Sequence, residues 1–146
     1  MKKLLFLLLI ISKVSFAAKP EVSFLVLKEV NYSFFQISQV IRNISDAHLD
    51  RILEFNDGNA QTCREIKEKM TPFMSYLQKL NSEFKAKAIP TKVAGSSVKI
   101  DEQFVYLQKL TQSSLDKCHT SEVLHVLQKL REEIMNTGFA IQKVEI

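Results

Sequence analysis

Apolar residues recur at alternating intervals of three and four along most of the chain, and this period constrains the fold more than any other feature. An α-helix turns once every 3.6 residues, so this spacing gathers the apolar side chains on one face. The clearest stripe contains Cys63, Ile66, Met70, Phe73, Leu77, Leu80 and Phe84. It predicts a helix over residues 62–85 that opens with a capping box, Thr62 to Glu65. Pro72 predicts a kink, or a division into two helices with Thr71 as the second cap.

The segment before this helix has a similar stripe, formed by Leu27, Val30, Phe34, Ile37, Ile41 and Ile44. The stripe predicts a first helix over residues 21–43. Ser45 and Asp46 are residues that favour helix N-caps, so they predict a short second helix over 47–55, which the turn residues 56–59 close. The alternative is a single helix over 21–55.

Two more helices are expected in the second half of the chain. Residues 86–99 lose the helical period and contain Pro90 and Gly95, which predicts the main loop. A helix over 100–118, capped by Asp101, follows this loop. The last stripe begins at Val123, and residues 136–138, ending in Gly138, predict its C-terminal cap.

These stripes predict an all-α protein, an up-and-down four-helix bundle with one short extra helix and one disulfide. An elongated three-helix bundle is the alternative. The midpoint between positions 63 and 118 is 90.5, inside the predicted loop. If the helices on either side of the loop pack antiparallel, Cys63 and Cys118 meet. We therefore expect a Cys63–Cys118 disulfide at the end of this hairpin farthest from the loop.

The first residues predict a cleaved signal peptide. Lys2 and Lys3 precede an apolar run that ends at Ile11, and Ser15 and Ala17 supply the small side chains that a signal peptidase accepts. We place the cut after Ala17, so residues 1–17 form the leader and 18–146 a single helical domain. The predicted location is periplasmic or extracellular, with no stable membrane insertion after cleavage, because the apolar run is too short to span a bilayer.

Charge argues against a nucleic-acid partner. The chain has a net charge of +4, but Lys2, Lys3 and Lys13 leave with the leader and no acid does, which lowers the charge to +1. Binding to phosphate backbones needs a basic excess that the processed chain lacks.

No catalytic or cofactor motif can be assembled. The three glycines lie in predicted loops or helix ends, which excludes phosphate-cradling motifs, and hydrolase signatures are absent, so we predict a protein that is not an enzyme. Cys118 and His119 resemble the end of a haem-attachment motif, but the first cysteine of that motif is replaced by Leu115. We expect no cofactor.

Histidines leave one cofactor alternative open. His125, with Met70 or Met74, could ligate a non-covalent haem in a helical bundle. His48, His119 and His125 are not spaced as metal ligands on one helix, so we predict no metal site.

By exclusion, the sequence predicts an exported helical protein that acts by binding another protein, as an inhibitor, immunity factor or assembly accessory. A bundle that carries haem or metal is one alternative. A secreted toxin or signalling factor is another, and it gains weight if Asn31 and Asn43, which lie in glycosylation sequons, are modified in a eukaryotic source.

Overall fold

The computed structural model describes residues 19–54 and 58–146, and four α-helices contain most of them. They are α1 (Pro20–Glu54), α2 (Gly58–Ala86), α3 (Ile100–Asp116) and α4 (Val123–Ile141). Helices α1 and α3 each pack against both α2 and α4, and successive helices run antiparallel. The predicted up-and-down four-helix bundle is therefore confirmed, whereas the described ranges contain no short extra helix. The predicted leader, residues 1–17, lies outside them.

The predicted stripes form the core. All seven stripe residues of α2 are buried, and so are Val123, Leu127, Leu130 and Ile134 of α4. In α1 the stripe is buried except at Ile37, which packs against the core while remaining partly exposed. The helical period thus identified the buried faces of α1, α2 and α4.

An aromatic cluster lies at the centre of this core. Phe34 of α1 meets Phe73 of α2 edge to face, with ring centroids 6.1 Å apart, and Phe104 of α3 at 5.9 Å. Phe84 of α2 contacts the same Phe104 at 5.1 Å. Edge-to-face pairs of buried rings stabilise a core beyond the area they remove from water. The cluster therefore joins three of the four helices.

Helix α1 is longer than the first helix that the sequence predicted, residues 21–43. It continues without a break to Glu54, so the predicted cap at Ser45 and Asp46 is wrong, and the single-helix alternative is correct. The Ser45 hydroxyl donates to the Ile41 carbonyl one turn earlier (3.0 Å). The Asp46 Oδ2 atom lies 3.9 Å from Arg42 Nε, also one turn earlier. Residues that favour caps are tolerated inside a helix when their side chains bond to the preceding turn.

Helix α2 begins at Gly58, four residues before the predicted capping box, and it runs unbroken through Pro72. The predicted cap at Thr62 and the division at Thr71 are therefore wrong. Thr62 is fully buried, and its hydroxyl contacts His48 of α1. The sequence pattern predicted that Thr62 caps α2, but this side chain bonds to the neighbouring helix α1 instead.

The other two predicted caps are also displaced. Asp101 lies in the first turn of α3, whose N-cap is Lys99, and it makes no cap through its side chain. Helix α4 continues past Gly138 to Ile141. Gly138 is buried against α1, where its carbonyl accepts a hydrogen bond from the Asn31 side chain. This glycine therefore lies at a contact between helices, and the predicted C-terminal cap is wrong.

The predicted loop occupies residues 87–99 and holds the C-terminal tail. The Ala94 amide donates to the Lys143 carbonyl (2.8 Å), and the Glu145 amide donates to the Lys92 carbonyl (2.9 Å). Gly95 has a φ of +73°, a conformation that residues with a side chain rarely adopt. We call this side of the bundle the loop end. The hydrogen bonds between loop and tail place the tail, residues 142–146, beside the start of α1.

The predicted disulfide is confirmed. Cys63 and Cys118 are paired with their Cα atoms 4.8 Å apart, and both residues are buried. Cys63 lies near the start of α2 and Cys118 in the turn after α3, so the bond is at the opposite side of the bundle, which we call the disulfide end. No helix within residues 19–54 and 58–146 combines the length and apolarity needed to cross a membrane.

Candidate functional site

The most exposed apolar side chains near the loop end belong to α1 and the tail. Phe24 and Leu25 of α1 are 57% and 63% exposed, and Ile146 of the tail is 57% exposed. Leu27 and Val30 of the same helix point into the core. Phe24 and Leu25 lie outside this buried stripe, so α1 also carries apolar residues on an exposed face. Apolar side chains grouped in this way are a frequent feature of protein-binding surfaces.

Phe24 and Ile146 border a groove of about 380 Å³ between α1, the end of α4 and the tail, which we call the tail groove. Its lining consists of Phe24, Leu27, Lys28, Asn31, Ile141, Gln142, Val144 and Ile146. Phe24 and Ile146 also line a more open depression beside it, together with Leu25. Phe24 and Ile146 therefore lie between the tail groove and this second depression, and both are lined mainly by apolar side chains.

Lys28 gives the tail groove a positive charge. Its side chain is exposed, and it forms no ion pair with the described part of the chain. Asn31, also in the lining, is held by its hydrogen bond to the Gly138 carbonyl. The groove thus has apolar walls, one available cation and an amide fixed in place.

A second cleft, of about 700 Å³, lies at the loop end between α2 and α3. Its lining mixes Lys85, Asp101 and Glu102 with loop residues such as Pro90. Among the described residues that line it there is no histidine, cysteine or serine, the side chains most often used as nucleophiles or bases. The lining of this cleft carries charges of both signs, whereas the tail groove is mainly apolar with a single cation, so we take the tail groove as the candidate for binding apolar side chains.

The disulfide end has a partly buried polar cluster that the sequence did not indicate. His48 Nδ1 of α1 lies 2.7 Å from the Thr62 hydroxyl, which also accepts a hydrogen bond from Arg51 (3.1 Å). Arg51 also forms a bidentate ion pair with Glu65. The Thr62 oxygen accepts from Arg51, and its O–H can donate to His48 only in the tautomer that leaves Nδ1 without a proton. Burial, and next the Arg51 charge, lower the pKa of His48 below 6.5.

This cluster predicts a loss of stability in mild acid. When the pKa of a histidine is lower in the folded state, the unfolded chain takes up the proton first, so stability falls as the pH drops below about 6.5. We expect the urea midpoint to fall between pH 7.5 and 5.5, and to fall less in His48→Gln. His125 is exposed, so His125→Gln serves as the matched control, and its urea midpoint should fall as much as that of the wild type. An equal fall in all three proteins would contradict the role of His48.

The disulfide has a histidine beside it. His119 follows Cys118 in the turn between α3 and α4, and its Nε2 lies 3.2 Å from Cys63 Sγ. The possible ligand atoms of Cys63, Cys118 and His119 all lie within 4.8 Å of one another. The sequence prediction missed this group because it sought ligands spaced along one helix. The available signal was the adjacency of His119 to a cysteine already expected to pair with Cys63.

The other predicted site residues are not brought together. His125 is exposed on α4, whereas Met70 is buried in the core and Met74 is half-buried on α2. His125 and Met70 therefore do not face a common buried layer, as a pair of axial haem ligands would. Of the two sequon residues, Asn43 is exposed, and Asn31 uses its amide to bond with Gly138.

Comparison with known proteins shows no relative: the chain matches no protein-family model, no curated protein and no solved structure.

Proposed function

We propose that this protein is an exported, non-enzymatic binding protein whose tail groove receives apolar side chains of a partner protein. One observation supports this most directly: Phe24 and Ile146 are each more than half exposed, and they line a groove formed by both ends of the described chain, with exposed Leu25 in the adjoining depression. Large apolar side chains at the centre of an interface supply most of its binding energy.

The chemistry of the groove indicates the kind of partner. Apolar walls suit aliphatic or aromatic side chains, and Lys28 suits a carboxylate at the edge of the contact. We therefore propose a short apolar segment with an acidic residue next to it. Complementary charge at such a rim mainly increases specificity and the rate of association.

The proposed location agrees with the disulfide. A disulfide persists in oxidising compartments outside the cytosol, and the Cys63–Cys118 pair is compatible with such a compartment. The predicted leader supplies the route. N-terminal sequencing of the exported protein tests this part, and it should begin at Ala18.

Site-specific photocrosslinking in the native compartment tests the binding. A photoreactive phenylalanine analogue at position 24 should yield one adduct of defined mass with a partner protein. The same analogue at Tyr106, an exposed aromatic residue on α3, is the matched control and should not yield that adduct. Lys28→Glu should lower the yield at position 24, because the substitution reverses the charge that faces the partner.

Two outcomes would refute the proposal. One is the absence of any adduct from position 24. The other is the same set of adducts from positions 24 and 106, which would show collisions without a specific surface.

A further inference from the structure

We propose that reduction of the Cys63–Cys118 disulfide converts Cys63, Cys118 and His119 into a binding site for one zinc ion. Thiolate sulfur and imidazole nitrogen are the ligands that Zn²⁺ prefers in proteins. The three ligand atoms come from two segments of the chain, α2 and the turn after α3, and they lie close together in the folded bundle. The inference concerns the disulfide end and does not depend on the tail groove.

The distances fit a tetrahedral site with little rearrangement. Zinc binds sulfur at about 2.3 Å and imidazole nitrogen at about 2.0–2.1 Å, so ligand atoms around it stand about 3.5–3.8 Å apart. His119 Nε2 is already 3.2 Å from Cys63 Sγ, and the whole group lies within 4.8 Å. Once the covalent bond is broken, the two sulfurs need to separate by only about 1.7 Å, from their bonded distance of about 2.05 Å. Rotation of the two side chains can provide this movement.

The ligands lie on segments that backbone hydrogen bonds hold in place. Cys63 belongs to the second turn of α2. Cys118 and His119 lie in a turn that the Thr120 amide closes by donating to the Lys117 carbonyl (2.9 Å), and the Thr120 hydroxyl bonds to the same carbonyl (2.8 Å). Ligands fixed in this way lose little conformational freedom when a metal binds, which favours affinity.

Burial determines how the ion would reach the site. Both cysteines are buried, whereas His119 is exposed, so the imidazole lies on the solvent side of the sulfurs. Zinc would therefore enter past His119. Three protein ligands leave the fourth coordination position for water, so we expect an ion that exchanges with solution.

Formation of the site requires a two-electron reduction. A dithiol reductant transfers two electrons and two protons to the disulfide, and it becomes a disulfide while Cys63 and Cys118 become thiols. Zn²⁺ then binds both sulfurs, the two thiol protons pass to solvent, and the imidazole donates its lone pair from Nε2. The disulfide and the metal exclude each other, so bound zinc should slow reoxidation.

Zinc competition against a chromophoric chelator tests the proposal under anaerobic conditions. The protein is reduced with a phosphine, which is then removed. We expect the reduced protein to take one equivalent of zinc from the chelator and the oxidised protein to take none. Co²⁺ in place of zinc should give sulfur-to-metal charge-transfer bands and the intense visible bands of a tetrahedral site.

Two histidine variants distinguish a site from adventitious binding by thiols. His119→Asn should weaken zinc binding by at least about tenfold, because even partners that only support a ligand account for that much. His125→Asn removes an exposed histidine outside the group and should bind like the wild type. Equal affinity of His119→Asn and wild type would overturn the proposal.

Circular dichroism checks whether the reduced protein is folded when zinc binding is measured. The reduced protein should keep its helical signal, or regain it when zinc is added. Reduced protein that stays unfolded with excess zinc would also refute the proposal, because the three ligands converge only in the folded bundle.

Discussion

Replacing both Cys63 and Cys118 with serine is expected to lower the free energy of unfolding by about 4 kcal/mol. The bond joins residues 55 positions apart, so it removes many open conformations from the unfolded chain. Domains of this size are stable by only about 5–15 kcal/mol in total, so the loss would be a large fraction of that stability. Urea denaturation of the variant and the oxidised wild type at neutral pH measures it.

Reduction gives an independent control. The reduced wild type, kept with a metal chelator, should approach the stability of the double serine variant, because both lack the covalent link. A difference below about 1 kcal/mol between oxidised wild type and variant would contradict the prediction, since it would mean that the bond closes almost no conformational freedom.

Phe34→Ala is expected to cost about 3–5 kcal/mol, because truncation of a buried phenylalanine removes apolar burial and leaves a cavity. Phe34 is fully buried and contacts rings from both α2 and α3, so neighbouring residues cannot close the space without displacing two helices. Thermal and urea unfolding, followed by the helical signal, both measure the loss. Phe34→Leu should recover much of it, because leucine fills part of the volume.

Phe139→Ala is the matched control for this prediction. Phe139 is 46% exposed and contacts one ring, that of Phe35. Its truncation should cost about 1 kcal/mol, the worth of one aromatic pair. Equal losses from Phe34→Ala and Phe139→Ala would show that the cluster around Phe34 does not join the helices as described.

The amphipathic period predicted the buried faces well, because burial of an apolar stripe depends on spacing along a single helix. The Cys63–Cys118 pair was also predictable, since antiparallel packing about a loop sets which residues meet. Helix ends were predicted poorly for a physical reason. Thr62, Ser45 and Asp101 favour caps, but a partner helix or the preceding turn offers the first two other hydrogen bonds, and α3 begins before the third.

The candidate sites depend on contacts between distant parts of the chain, and no local pattern reports these. The tail groove exists because residues 142–146 bond to the loop and so come to lie beside Phe24. His48 reads as an isolated histidine in the sequence, yet it is buried against Thr62 of the next helix. Antiparallel packing predicts which helices meet, but it does not specify these individual contacts.

The position of the loop relative to the disulfide bears on how the protein withstands proteases. Lys87, Lys92 and Lys99 are exposed in residues 87–99, and exposed loops are the preferred sites of cleavage. The whole loop lies between Cys63 and Cys118, so a cut after any of these lysines leaves the two fragments covalently joined. A nicked molecule would keep its two fragments, and with them its four helices, joined until a reductant cleaved the disulfide.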